Sequence, residues 1–281
     1  MNICYTMFST FKEGLIMYRK IMGFLEAWKE SEHRKPLILQ GARQVGKTYS
    51  ILEFGRTHYE NVAYFNFETN PKLNKTFEEN ISPDYLIPIL SHIAGQTIVK
   101  EKTLIVFDEV QLCERALTSL KYFCEDAPDY HIIVAGSLLG VAVNRAKFSF
   151  PVGKVDMKTL YPMDMEEFML ALGEKDLVEQ IKKCFHTDTP LPSALHDAAM
   201  QLYRQYLVVG GMPECVMQFA ETKDYILVRH TQDTILASYL NDMSKYNNLN
   251  EIKKTRLAYD NITVQLSKKN TRFQYKLIKK G

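Results

Sequence analysis

The sequence predicts an α/β fold centred on a five-stranded, mostly parallel sheet with helices on both faces. Three observations lead there. Apolar strand-like runs alternate with helical periodicity five times between Tyr18 and Pro162, the pattern of parallel strands joined by crossover helices. The run Thr103-Leu104-Ile105-Val106-Phe107 is almost continuously apolar, which suits a strand covered on both faces. The strand-like Pro36 to Gln40 leads into Gly41-Ala42-Arg43-Gln44-Val45-Gly46-Lys47-Thr48, with G-x-x-x-x-G-K-[ST] spacing, and a helix follows.

Each element has its own signal. Tyr18 to Lys29 places Ile21, Phe24, Leu25 and Trp28 on one face, so it reads as an amphipathic helix packing on the sheet. The helix after the glycine loop continues through Tyr49 to Phe54 and is expected to stop at Gly55. Asn61 to Phe67 is rich in aromatic and β-branched residues and reads as a strand. Lys72 to Asn80 and Pro83 to Ala94 read as helices, the second with proline in its first turn. Thr103 to Glu109 is the next strand, Glu114 to Cys124 a helix, and Tyr130 to Ala135 a strand ending at Gly136-Ser137. Val155 to Leu160 is the fifth strand, closed by Pro162. From Met163 the strand pattern stops. Met165 to Leu172, Asp176 to Phe185, Pro192 to Val209 and Lys223 to Tyr246 read as helices. Gly210-Gly211 ends the Pro192 to Val209 helix and Pro213 opens another, so Gly210-Gly211-Met212-Pro213-Glu214 makes a corner between helices. Ile252 to Leu257 and Ile262 to Leu266 begin a further, basic segment.

The loop carries the chemistry. Its glycines allow backbone angles that turn successive N–H groups inward, a nest for phosphate oxygens. The following helix aims its N-terminal dipole at the same place. Gly41 to Thr48, with Tyr49 beside them, are the candidate nucleotide-binding residues: Lys47 for the β- and γ-phosphates and Thr48 for Mg²⁺. Asp108 and Glu109 end the buried strand, where ligands bind in open α/β sheets. Asp108 is the second candidate Mg²⁺ residue. Glu109, with Lys47, is a candidate catalytic residue, because it would orient or deprotonate the attacking water. Ser137, at the tip of the fourth strand, is a candidate γ-phosphate sensor, or else part of a simple turn. Asn66 and Glu68 lie at the end of the second strand, facing the pocket or forming a polar strand face. Arg145 and Lys154 are downstream cations, solvated or reaching a phosphate in their own subunit or in a neighbour of a homo-oligomer.

Composition sets the bounds. The chain has 281 residues, of which 46% are hydrophobic and 24% charged, as in ordinary globular domains. No apolar run approaches the ~20 residues of a membrane span. The five cysteines are odd in number and widely spaced, without a C-x-x-C pair. That fits a reducing cytoplasm and argues against zinc. Met1 to Met17 lacks the basic start and long apolar centre of a signal peptide. Charge is uneven. Lys245 to Gly281 holds ten Lys or Arg against two acids, a balance of +8, whereas the rest of the chain sums to −6. That basic end could meet nucleic-acid phosphates, or be solvated, or face an acidic surface.

With these segments placed, the chain resembles the prokaryotic AAA-type ATPases in which a P-loop domain precedes a DUF4143 domain. The matching residues are Gly41 to Thr48, Phe107-Asp108-Glu109-Val110-Gln111, Ala135-Gly136-Ser137, Phe150 to Val155, Tyr161-Pro162 with Glu166-Glu167-Phe168, Gly210 to Glu214, and Gln265 to Asn270. The resemblance implies Mg²⁺-dependent ATP binding and hydrolysis. Beyond an N-terminal extension over 1–17, read from its own residues, it implies a P-loop ATPase domain over 18–162, a helical lid over 163–245 and an incomplete winged-helix segment over 246–281. Where the family has Gly-Arg this sequence has Gly153-Lys154, which weakens an arginine-finger reading there. Two rivals stay open on the residues alone: a nucleotide switch with negligible turnover, and a P-loop kinase of a small metabolite.

Overall fold

The computed structural model describes residues 17–136, 151, 153–245 and 249–268. Ser137, Arg145 and the basic stretch from Lys269 lie outside the described residues. The chain divides into two compact units, Met1–Lys223 and Asp224–Gly281.

The first unit contains β1 (Leu37–Gln40), β2 (Asn61–Asn66), β3 (Thr103–Asp108), β4 (His131–Gly136) and β5 (Asp156–Thr159). They form one sheet in the order β2-β3-β4-β1-β5, and every described pairing is parallel. Helix α1 (Ile21–Lys29) precedes β1. Parallel strands need crossovers, which α2 (Lys47–His58) supplies between β1 and β2, α3 (Lys72–Glu79) and α4 (Pro83–Ala94) between β2 and β3, and α5 (Glu114–Asp126) between β3 and β4.

Alternation along the strands sends side chains to two cores. Ile105, Phe107, Ile132 and Val134 join Phe77 of α3, Leu86 and Leu90 of α4 and Phe123 of α5 on one face. Leu104, Val106, Ile133 and Ala135 join Leu25 and Trp28 of α1 and Ile51 and Phe54 of α2 on the other. Both faces of β3 and β4 are therefore covered, which is why their sequences are continuously apolar.

Helix α2 does not stop at Gly55. It runs on to His58, and Gly55 has a different reason to lack a side chain. A Cβ there would lie 2.5 Å from Val62 Cγ2 and 3.1 Å from Leu104 Cδ2, so the glycine lets the helix lie close on β2 and β3.

Helices α6 (Met165–Ala171), α7 (Lys175–His186), α8 (Ser193–Val209) and α9 (Pro213–Thr222) complete this unit. Met169, Leu177, Val178 and Leu202 form their own small core. The second unit holds α10 (Tyr225–Lys245), α11 (Leu249–Asp260) and α12 (Ile262–Leu266). Asp224 opens α10 by accepting the Ile226 and Leu227 amides at 2.7 and 3.3 Å. Among the described residues no helix is long and apolar enough to cross a membrane.

Candidate nucleotide site

Strand β1 lies between β4 and β5, the point where chain order along the sheet reverses and where ligands bind beyond the strand ends in open α/β sheets. The glycine loop leaves β1 there. Gly46 has φ 89° and ψ 24°, left-handed backbone that glycine adopts without cost, and it caps α2 with no side chain. The first amides of α2 thus keep their capacity for an anion.

The loop residues are differently exposed. Ala42 and Gln44 face solvent, Arg43 and Tyr49 are half-buried, and Val45 is buried. Lys47 is only 7% exposed. Its Nζ donates to the Gly41 and Ala42 carbonyls at 3.0 and 2.7 Å. Burial pushes its pKa below the ordinary value, while Glu109 and Asp108 pull it back up. An ammonium that is desolvated and held by neutral carbonyls is well placed to exchange them for charged oxygens.

Strand β3 ends at Asp108, 5% exposed. Asp108 Oδ2 accepts from Thr48 Oγ1 at 2.8 Å and from Tyr64 OH at 2.7 Å. The fold therefore brings together Lys47, Thr48, Asp108 and Glu109 from two strand ends. A hydroxyl and a carboxylate oxygen are the hard donors that suit Mg²⁺. Asn66 stands one bond further out. Its Oδ1 accepts the Glu68 and Thr69 amides at 2.9 and 3.0 Å, and its Nδ2 donates to Tyr64 OH at 3.3 Å. It shapes the turn after β2, while Glu68 is exposed.

Glu109 has φ 51° and ψ 39°, the left-handed region. For a non-glycine residue that costs on the order of 1–3 kcal/mol, the kind of strain found at functional positions. The turn Val110–Leu112 and the buried Val110 hold it there. Burial raises the Glu109 pKa, opposed by a hydrogen bond from Gln111 Nε2 to Glu109 Oε2. The Gln111 Oε1 atom is buried and has no partner among the described residues.

Lys154 pairs with Glu125 at 2.9 Å and is not brought to the loop. Sequence reasoning gave no role to Tyr64, Arg19 or Gln111, the last of which it quoted only within a matching segment. Arg19 is 3% exposed and donates from Nη1 to the Val45 carbonyl at 2.8 Å. A lone arginine before an amphipathic helix carries no motif, and only the chain fold shows what it reaches.

Residues 33–169 match a family model described as an AAA domain. This part of the chain has the AAA-type P-loop fold. Residues 200–281 match a domain of unknown function, DUF8612, where the resemblance implied a DUF4143 domain. No curated protein matches the chain. Solved structures similar to it include the RuvB Holliday junction branch migration motor of Thermotoga maritima, at 13% identity and TM-score 0.39 over 91% of this chain and 71% of that one. Domain III of the T. maritima replication initiation protein DnaA is 15% identical, with TM-score 0.39 over 84% and 91%. Drosophila ORC bound to DNA is 14% identical, with TM-score 0.42 over 76% and 66%.

Proposed function

We propose that the protein binds ATP with Mg²⁺ at the Gly41–Thr48 loop and hydrolyses it. The observation that carries this reading is the convergence of Lys47, Thr48, Asp108 and Glu109 at the ends of β1 and β3. Thr48 and Asp108 would hold Mg²⁺, which when bound offsets phosphate charge. Lys47 would move from the Gly41 and Ala42 carbonyls onto the β- and γ-phosphates. The α2 amides would take the remaining oxygens.

Glu109 would accept a proton from the attacking water as its oxygen bonds to the γ-phosphorus. The bond to the β,γ-bridging oxygen then breaks, leaving ADP and phosphate. Because phosphoryl transfer needs little covalent help from protein, positioning and charge supply most of the effect.

A second reading is a nucleotide switch with slow turnover, favoured by the Gln111 amide that holds Glu109. Phosphate release by purified protein, beside direct nucleotide binding, separates the two. Lys47→Ala should weaken Mg·ATP binding by about 10–100-fold, the size of one charged hydrogen bond of ~1.5–3 kcal/mol. Equal affinity in that variant and the parent would sink the nucleotide reading.

A further inference from the structure

We propose that Arg19 is a positioning residue. It holds the glycine loop in its phosphate-receiving shape and ties that shape to helix α6, so that loop occupancy and α6 position change together. The inference rests on the nucleotide reading for what fills the loop, but not for the brace itself.

The geometry is a three-way fork. Arg19 Nε donates to Glu167 Oε1 of α6 at 3.2 Å. Nη1 donates to the Val45 carbonyl inside the loop at 2.8 Å, and Nη2 to the Tyr161 carbonyl, in the link from β5 to α6, at 2.8 Å. A planar guanidinium fixes the three directions relative to one another, which a lysine cannot do.

The Val45 contact sets the loop. In a trans peptide the C=O and the following N–H point in opposite directions. With the Val45 carbonyl held by Arg19, the Gly46 N–H must point away from the arginine. Gly46 itself lies so close that a Cβ would be 3.3 Å from Nη1.

Glu167 is fixed as firmly. Oε1 also accepts the Lys20 amide at 2.7 Å, and Oε2 accepts the Asp164 amide at 3.2 Å. The Glu167 amide in turn donates to Asp164 Oδ1 at 2.9 Å, completing the cap of α6. Both members of the pair are buried, at 3% and 5% exposure. Burying an ion pair is weak support for stability, since its desolvation cost offsets the attraction. What this pair does supply is a fixed geometry between the loop, the link and α6. Further along, the Met163 amide donates to the Gly211 carbonyl at 2.7 Å, and Tyr206 OH donates to the Met163 carbonyl at 2.9 Å. A shift of the link therefore reaches α8 and the corner before α9.

The test combines amide hydrogen exchange with nucleotide binding in Arg19→Met, Arg19→Lys and Glu167→Gln. Glu167→Gln changes no atom of the loop. It should nevertheless speed exchange over residues 45–51 as well as 165–171, by about tenfold, while the β3 amides keep the parent's protection. Arg19→Met should do the same and weaken Mg·ATP binding about tenfold or more, with Arg19→Lys between it and the parent. Exchange confined to α6 in Glu167→Gln overturns the proposal, as does parental affinity in a folded Arg19→Met. If Arg19→Met does not fold, the other two variants decide. If the parent binds no ATP, the nucleotide reading fails, and the exchange measurement still decides the brace.

Discussion

The Thr48 hydroxyl donates a 2.8 Å hydrogen bond to Asp108 Oδ2, joining the glycine loop to the end of β3. The same carboxylate oxygen accepts Tyr64 OH from β2. Two neutral donors thus fix the direction of a buried charge, and that arrangement would present Asp108 to a cation with little reorganisation.

Tyr64→Phe should therefore act on the metal rather than on the nucleotide. Outer partners of a ligating carboxylate typically change metal affinity by about 10–100-fold. The Mg²⁺ concentration for half-maximal turnover is expected to rise by at least the lower figure. ATP affinity measured without Mg²⁺ should stay at the parent's value. A parallel loss of both would mean that Tyr64 supports the whole pocket and has no particular part in cation binding.

Gly55→Ala sets two effects of known size against each other. Alanine gains up to about 1 kcal/mol of helix propensity over glycine. Forcing a methyl group into a packed core costs about 1–3 kcal/mol, and here it would lie 2.5 Å from Val62 Cγ2, on a β-branched side chain with little freedom to turn. At 2.5 Å from a stiff side chain the overpacking cost falls in the upper part of that range, about 2–3 kcal/mol, so the net loss in urea unfolding should be roughly 1–2 kcal/mol. Combining it with Val62→Ala should cost less than the two changes added together. A Gly55→Ala protein as stable as the parent would contradict the close packing described.

Much of this was legible in the sequence, for identifiable reasons. The loop, Lys47, Thr48 and the Asp108-Glu109 pair follow from local spacing. Strands β1, β3 and β4 follow from runs whose apolarity reports burial on two faces, and β2 from its aromatic and β-branched residues. What stayed hidden depends on contacts distant in sequence. Gly55 looks like a helix stop because glycine usually is one, and nothing local announces Val62 against it. Arg19 and Glu167 are 148 residues apart, and although Glu167 lies in the matched Glu166-Glu167-Phe168 segment, nothing local there announces Arg19. Tyr64 reads as a strand residue, and only the register of β2 with β3 brings it beside Asp108. The left-handed backbone at Glu109 leaves no trace in composition.

His131 makes stability depend on pH. It is 3% exposed at the start of β4, shares a 2.7 Å hydrogen bond with Tyr59 OH through Nδ1, and has no described partner at Nε2. Burial, helped by the Arg34 charge, lowers its pKa from the ordinary 6.5 to about 4. The unfolded chain therefore binds this proton at higher pH than the folded one. Below about 6.5 the unfolded state holds more protons, so stability falls as pH drops through that range and levels off near 4. Urea midpoints should fall more steeply between pH 7 and pH 5 for the parent than for His131→Gln. Parallel curves would place the acid sensitivity elsewhere.

Glu109 and Gln111 give the prediction closest to the chemistry. If Glu109 takes the proton from water, Glu109→Gln should keep Mg·ATP affinity and lose about 10²–10⁴-fold in turnover, because the contribution appears mainly in the transition state. Turnover of the parent should also fail on the acid side as this carboxylate protonates. Burial raises its pKa, so the limb lies above the ordinary carboxylate value of 4.5. The Gln111 amide donates to the ionised form and holds that pKa down. Removing it in Gln111→Ala should move the acid limb to higher pH, because ionisation loses a stabilising partner. The same change frees Glu109 from its clasp, so turnover on the alkaline plateau should rise or hold while the limb shifts. A profile of kcat against pH for the parent and the two variants checks both statements. A limb that stays in place in Gln111→Ala would mean that the titrating group is not Glu109.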